Sequence, residues 1–218
     1  MRHPHRCLLI RRAFDLAIAS ALLLLLLVPS LVVAAVIAVT SPGGAIFAEA
    51  RVGRGGRHFR VFKFRSMTQP AGDGGQRVSG RDDPRITPIG HLLRFFHIDD
   101  WPMLLNVLGG SMSLVGPRPL APWRAAALDP AIAEKLTAQK PGIVDWASLR
   151  HPAINAPLTG PAAEAVYLAD VLPVVARANL EHARRDGVLH RFQYLVLLAM
   201  AAWRVVTRSP GDASQGGG

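Results

Sequence analysis

The chain has 218 residues, enough for one domain with a real core or for a small domain plus a membrane element. Its 25 Lys+Arg against 15 Asp+Glu give a net charge of +10, yet hydrophobic residues make up 50% of it. That pairing excludes a basic disordered tail and points to an anionic partner: nucleic acid, a membrane surface or phosphorylated substrates.

In chain order, the first feature is residues 16–39, LAIASALLLLLLVPSLVVAAVIAV, which carry no charge. The run is long enough to cross a bilayer of about 30 Å as a helix. Pro29-Ser30 interrupts it, so a kink or break is expected there. A cleaved signal peptide fits the basic start at Arg2, Arg6, Arg11 and Arg12, but its apolar core is normally only about 7–15 residues. A single-pass anchor calls for basic residues mainly on one side. Here Arg51, Arg54, Arg57, Arg60, Lys63 and Arg65 follow the run as well. The charge rule therefore favours a re-entrant hairpin that enters, bends at Pro29 and leaves by the same face. The Ser30 hydroxyl is a candidate partner for backbone groups freed by the bend.

Ser41-Pro42-Gly43-Gly44 is a turn signal, and IFAEARVG and RHFRVFKFRSM read as short strands around Gly53–Gly56. Residues 69–84 hold Gly72, Gly74, Gly75 and Gly80 and read as a polar loop. Ile89–Phe96 looks helical, and Asp99-Asp100-Trp101-Pro102 looks like the start of a helix that stops at Gly109-Gly110. SLVGPRPLAP is too rich in Pro and Gly for regular structure. One helix is expected over Ala125–Gln139, broken by Pro141-Gly142, and another over Glu164–Arg185 with an interruption near Pro173. The apolar run Tyr194–Trp203 is too short to span a bilayer. It suits either a helix on an anionic membrane surface or a core helix. The last residues, PGDASQGGG, read as a disordered tail.

The single cysteine, Cys7, excludes an internal disulfide framework and a multi-cysteine metal cluster. The histidines, His97 included, show no metal-ligand spacing and read as structural. Charged groups gather at Lys63-Phe64-Arg65, at Arg94 with Asp99-Asp100, and at Gly116-Pro117-Arg118-Pro119. Arg forks and the Lys point charge suit phosphate oxygens. Adjacent carboxylates can divide labour, one attacking while its neighbour holds Mg²⁺. Each cluster also has a structural reading: a helix N-cap for Asp-Asp, an exposed strand face for Lys-Phe-Arg, a rigid loop for Pro-Arg-Pro.

Taken in order, the motifs resemble the bacterial sugar transferase family, the small monotopic phosphoglycosyl transferases. The residues that carry the resemblance are Arg12-Ala-Phe-Asp15, Pro29, Arg51-Val-Gly53, Lys63-Phe-Arg-Ser-Met67 and Asp83-Pro-Arg-Ile-Thr87. They continue with Gly90, Leu93-Arg94, Asp99-Asp100-x-Pro102 with Asn106-Val-Leu108, Met112-Ser-Leu-Val-Gly-Pro-Arg-Pro119 and Lys140-Pro-Gly-Ile143. The resemblance implies transfer of a sugar-1-phosphate from a UDP-sugar to polyprenyl (undecaprenyl) phosphate, with release of UMP. This is the first membrane step of surface polysaccharide or glycoconjugate assembly. It implies an aspartyl-phosphosugar intermediate, with Asp99 in the nucleophile's place and Asp100 in that of the Mg²⁺-binding Glu. Lys63, Arg65, Arg94 and Arg118 would face the phosphates.

Several positions depart from the family's pattern: Asp100 for Glu, Val28 before Pro29 for Ser, Val144-Asp145 for Thr-Gly, Pro173-Val174-Val175 for Pro-Arg-Lys and His182 for Tyr. The alternative function is therefore an inactive or weak relative that acts as a membrane scaffold for glycan assembly. The expected fold is α+β. An N-terminal basic segment and re-entrant membrane helix takes residues 1–43. A catalytic domain at the cytoplasmic face of the bacterial inner membrane takes 44–208, with a small strand region near residues 45–65 and helices around it. A tail takes 209–218. Expected partners are the UDP-sugar, polyprenyl phosphate and anionic membrane lipid, with downstream glycosyltransferases as further candidates. Nucleic acid is not expected, because no reading motif accompanies the charge.

Overall fold

A computed structural model describes residues 4–68, 78, 83–145, 147–148 and 162–183. Most of the Gly-rich loop, the apolar run Tyr194–Trp203 and the tail at 209–218 lie outside the described residues.

The apolar segment forms one helix, α1, Pro4–Thr40. Its stretch Leu9–Thr40 is long and apolar enough to cross a membrane. The break expected at Pro29-Ser30 is absent, because Pro29 lies inside α1 and the helix continues on both sides. A proline removes one backbone hydrogen bond, and the Leu- and Ala-rich flanks are long enough to sustain the helix around that gap. Both halves of α1 pack on the same domain. Ala19 is fully buried with Val61, Met103, Leu104 and Val107, while Val33, Ala34 and Ile37 pack against Phe64 and Leu93. Between these seats Leu24 and Leu25 are 75% and 72% exposed, an apolar surface left uncovered by the described residues.

Polar side chains fasten the first half of α1. The buried Asp15 carboxylate accepts from Ser113 Oγ (2.7 Å) and from the Leu114 backbone N–H (3.1 Å). Arg12 donates to the Val107 and Leu108 carbonyls (2.6 and 2.9 Å) at a helix end, where Val107 also accepts from Gly110 N–H (3.0 Å).

Strands β1, Ile46–Val52, and β2, His58–Phe64, form an antiparallel pair in the register Ile46↔Phe64 to Val52↔His58. The expected strand region is thus in place. Helix α2, Pro88–Phe95, is capped by Thr87, whose hydroxyl accepts from Gly90 N–H (3.0 Å). Gly90 is required there, since a Cβ would lie 2.1 Å from the Ser66 carbonyl oxygen. After a 3₁₀ turn, Ile98–Asp100, comes α3, Met103–Leu108, which ends at Gly109-Gly110 as expected.

Two further expectations are corrected and a third is refined. The segment judged too rich in Pro and Gly holds a strand, β3, Ser113–Val115, paired in parallel with β4, Gly142–Val144. The single helix over Ala125–Gln139 is two: α4, Pro122–Ala126, and α5, Pro130–Thr137. Asp129 restarts the chain by accepting from Ala131 and Ile132 N–H (2.8 and 3.3 Å), with Pro130 in the first turn. The interruption near Pro173 is a π-helical turn, Tyr167–Val171, between α6, Ala163–Val166, and α7, Leu172–Ala183. Such a turn absorbs a disrupted backbone ladder without ending the helix.

Candidate active site

Asp99 and Asp100 sit in the short turn between α2 and α3, beside the end of β2. The turn is entered through His97, the one non-glycine residue with positive φ among the described residues (φ 54°, ψ 26°). That sparsely populated backbone state is held by the packing of Ile98 and Trp101 under Leu93 and Ile37. It lets two successive carboxylates face different surroundings. Asp99 is buried, and its Oδ1 has no hydrogen-bond partner among the described residues. Asp100 is half-buried and forms an ion pair with Lys63 Nζ at 2.7 Å.

These environments push the two acids apart. Burial, then the adjacent Asp100 charge, raises Asp99 to about 7, against the opposing pull of Lys63, Arg94 and Arg118. Burial also acts on Asp100, but Lys63, Arg118 and His97 together outweigh it and hold that carboxyl below its ordinary range. One carboxyl is thus poised near neutral pH while its neighbour stays ionised, the division expected of an acid pair with two roles.

Four elements place the cations. Lys63 comes from β2, which Asn106 of α3 clamps: its Oδ1 accepts from Phe62 N–H (2.9 Å) and its Nδ2 donates to the Arg60 carbonyl (2.7 Å). Arg94 comes from the last turn of α2 and contacts Met67 Sδ at 3.4 Å. Arg118 follows β3 and is exposed, in a loop pinned at several points. Gly116 N–H donates to the Val144 carbonyl (3.0 Å), Gly142 N–H to the Pro117 carbonyl (2.9 Å) and Val52 N–H to the Leu120 carbonyl (2.8 Å). Arg51, paired with Glu49, also donates to the Pro119 carbonyl (3.3 Å). Behind Arg118, the buried Asp145 faces its charge and accepts from Ser148 N–H (2.9 Å) and Oγ (2.6 Å).

The structure therefore brings Asp99, Asp100, Lys63, Arg94 and Arg118 into one electrostatic neighbourhood. It does not bring Arg65 there. The Arg65 guanidinium donates to the Gly44 and Gly43 carbonyls (2.8 and 2.6 Å) and holds the loop that leads into β1. Arg65 shares the Lys63-Phe-Arg motif with Lys63, but β2 ends at Phe64 and Arg65 begins the segment that follows it. Pro29 and Ser30 lie within α1.

Sequence reasoning set His97 aside as structural. Its ligand atom and those of Asp99 and Asp100 all lie within 4.8 Å of one another. Mg²⁺ prefers oxygen and takes one or two carboxylates together with substrate phosphates and water. The open acceptor on Asp99 and the ionised Asp100 fit that donor set, with His97 beside it. The backbone fold that brings His97 back onto the acids, not sequence spacing, is what reveals the cluster. Asn106 and Asp145 were likewise invisible as supports until β2 and β4 were placed.

A family model described as Bacterial sugar transferase matches residues 6–169. The chain is 46% identical over 149 residues to an undecaprenyl-phosphate glucose phosphotransferase of Komagataeibacter xylinus, covering 65% of this chain and 28% of that protein. It is 37% identical over 144 residues to a UDP-N-acetylgalactosamine-undecaprenyl-phosphate N-acetylgalactosaminephosphotransferase of Aeromonas hydrophila (65% and 34%). It is 36% identical over 146 residues to a UDP-glucose:undecaprenyl-phosphate glucose-1-phosphate transferase of Escherichia coli (65% and 31%). The chain thus spans about a third of the length of these relatives.

Proposed function

Since the chain belongs to the bacterial sugar transferase family, we propose that it moves a sugar-1-phosphate from a UDP-sugar to polyprenyl phosphate and releases UMP. The observation that carries this reading is the pair of unlike carboxyls. Asp99 is desolvated, lacks a hydrogen-bond partner on Oδ1 among the described residues and is pushed up to about 7 by burial, while Asp100 is fixed as an anion by Lys63.

A desolvated carboxylate is a better nucleophile than a hydrated one, and near pH 7 a substantial fraction of Asp99 is ionised. Its oxygen attacks the β-phosphorus of the UDP-sugar. The new O–P bond forms as the bond to the bridging oxygen breaks, and that oxygen leaves with UMP. The phosphosugar then sits on Asp99 as an acyl phosphate. In the second half, an oxygen of polyprenyl phosphate attacks the same phosphorus and returns the carboxylate of Asp99. The product is a polyprenyl diphosphate sugar. An anion attacking an anion needs its repulsion screened, and Lys63, Arg94 and Arg118 supply fixed positive charge at the site. Asp100 and Asp99 would hold Mg²⁺, which when bound adds charge neutralisation on the diphosphate.

The seating of α1 supports a same-face arrangement. Its first half packs on α3 and β3, and its second half packs on β2 and α2. One domain holds both ends, so the exposed Leu24–Val32 stretch is the part left for lipid. We place the domain at the cytoplasmic face of the inner membrane, with the exposed apolar side of α1 toward lipid and the acids at the interface where a lipid phosphate resides.

The relatives' names differ in the sugar, glucose in two and N-acetylgalactosamine in one, so the test is a panel of UDP-sugars with undecaprenyl phosphate and Mg²⁺. UMP release with one donor, lost in Asp99→Asn, is the expected result. No turnover with any donor would favour the scaffold.

A further inference from the structure

Lys140 is a cation without an acceptor. Its side chain is half-buried, and its ammonium has no hydrogen-bond or ion-pair partner among the described residues. Its surroundings share its charge: after burial, Arg12 and Arg54 are the strongest influences pushing its proton off. The acid nearby, Asp15, already has both oxygens engaged by Ser113 and Leu114. Arg11 is likewise bound to the Val115 carbonyl at 2.5 Å.

The cations frame an open spot. Gly110 has φ 81° and no side chain, and a Cβ built there would lie 3.4 Å from Arg12 Nη2 and 3.8 Å from Lys140 Nζ. An atom placed at that spot therefore meets both cations at ordinary contact distance. Arg12 is preorganised, since its guanidinium is fixed on the Val107 and Leu108 carbonyls. Arg54, exposed on the β1–β2 turn, adds a third positive charge.

The location suits a headgroup. Arg12 lies just ahead of Leu16, where the charge-free part of α1 begins, at the depth where basic side chains meet lipid phosphates. The cluster sits on the first half of α1, whereas Ile98 and Trp101, which flank the acids, pack near its second half. The geometry points to a second anion site, built by Lys140 and Arg12 over Gly110, that takes the phosphate of an anionic phospholipid. It rests on α1 as a membrane helix and not on the transferase chemistry.

The test uses the full chain reconstituted in phosphatidylcholine with a minor share of phosphatidylglycerol, then released for native mass spectrometry. Wild type should retain phosphatidylglycerol over phosphatidylcholine. Lys140→Gln should reduce that retention about tenfold, as loss of a charge-assisted hydrogen bond implies, and Lys140→Arg should restore most of it. Flotation with pure phosphatidylcholine vesicles reads the membrane helix separately and should be the same for all three proteins. Equal retention by Lys140→Gln and wild type, with flotation intact, would overturn the site. Displacement of the lipid by millimolar inorganic phosphate would assign the same spot to a free phosphate and overturn the lipid source.

Discussion

Replacing Asp99 by Asn should abolish turnover and yet stabilise the protein above neutral pH. A carboxyl whose pKa is raised in the folded state opposes folding once the unfolded chain would ionise it. For Asp99 the rise runs from 3.8 to about 7. The penalty is absent below about pH 4, grows between pH 4 and pH 7, and is constant above that. At about 1.4 kcal/mol per pH unit its ceiling is about 4 kcal/mol, and relaxation around the ionised group brings about 2 kcal/mol within reach. That corresponds to a rise in Tm of about 4–8 °C for a chain of this size. The assay is thermal unfolding by tryptophan fluorescence in detergent with EDTA, wild type against variant, from pH 4.5 to pH 8.5. The expected result is a Tm difference that is small at pH 4.5, widens through pH 7 and then levels off. A variant that is less stable at pH 8.5, or a difference that ignores pH, would refute the argument that Asp99 is held against its own ionisation.

Other outcomes follow from the same contacts. Lys63→Met removes the cation that favours ionisation of both acids, so the acid limb of the kcat/KM profile should move to higher pH. A limb that stays put or moves down would mean that Asp99 does not govern it. Asp15→Ala strands the buried Leu114 N–H and the Ser113 hydroxyl, and should cost about 3 kcal/mol, read as a lowered Tm at neutral pH. Gly142→Ala puts a Cβ 2.0 Å from Gly116 N, backbone that has little room to yield. It should lower Tm by several degrees through overpacking and depress kcat by shifting the Arg118 loop, whereas wild-type kcat and Tm would show that the loop tolerates the shift.

Much of this architecture can be read from the sequence where the signal is local. The charge-free run announces α1, alternation over residues 46–64 announces the hairpin, and Asp-Asp before Pro102 announces a turn into a helix. Signals that depend on distant partners are harder to see. β3 is three residues long and is stabilised by β4, which lies beyond α4 and α5. Its Pro- and Gly-rich surroundings spoke louder than its own Ser-Leu-Val. The helix across residues 125–139 concealed Asp129-Pro130, a start signal that local chemistry does carry. In the site, the acids and Lys63, Arg94 and Arg118 are visible as charged motifs. Arg65 belongs to the same charged motif as Lys63, and only the folded contacts show it turned to the Gly43 and Gly44 carbonyls. His97 joins the acids through a positive φ that composition does not encode. Asp15 and Asn106 read as family motifs, and only the folded contacts show them holding β3 and β2 in place.

The covalent step on Asp99 is the centre of the proposed mechanism, and intact-mass measurement reads it directly. The protein is mixed with a turnover-competent UDP-sugar and Mg²⁺ in the absence of polyprenyl phosphate, then quenched. The expected spectrum gains the mass of one phosphosugar, maps it to Asp99, loses it when undecaprenyl phosphate is added, and shows none in Asp99→Asn. Turnover without any adduct, or an adduct that persists in Asp99→Asn, would contradict the account.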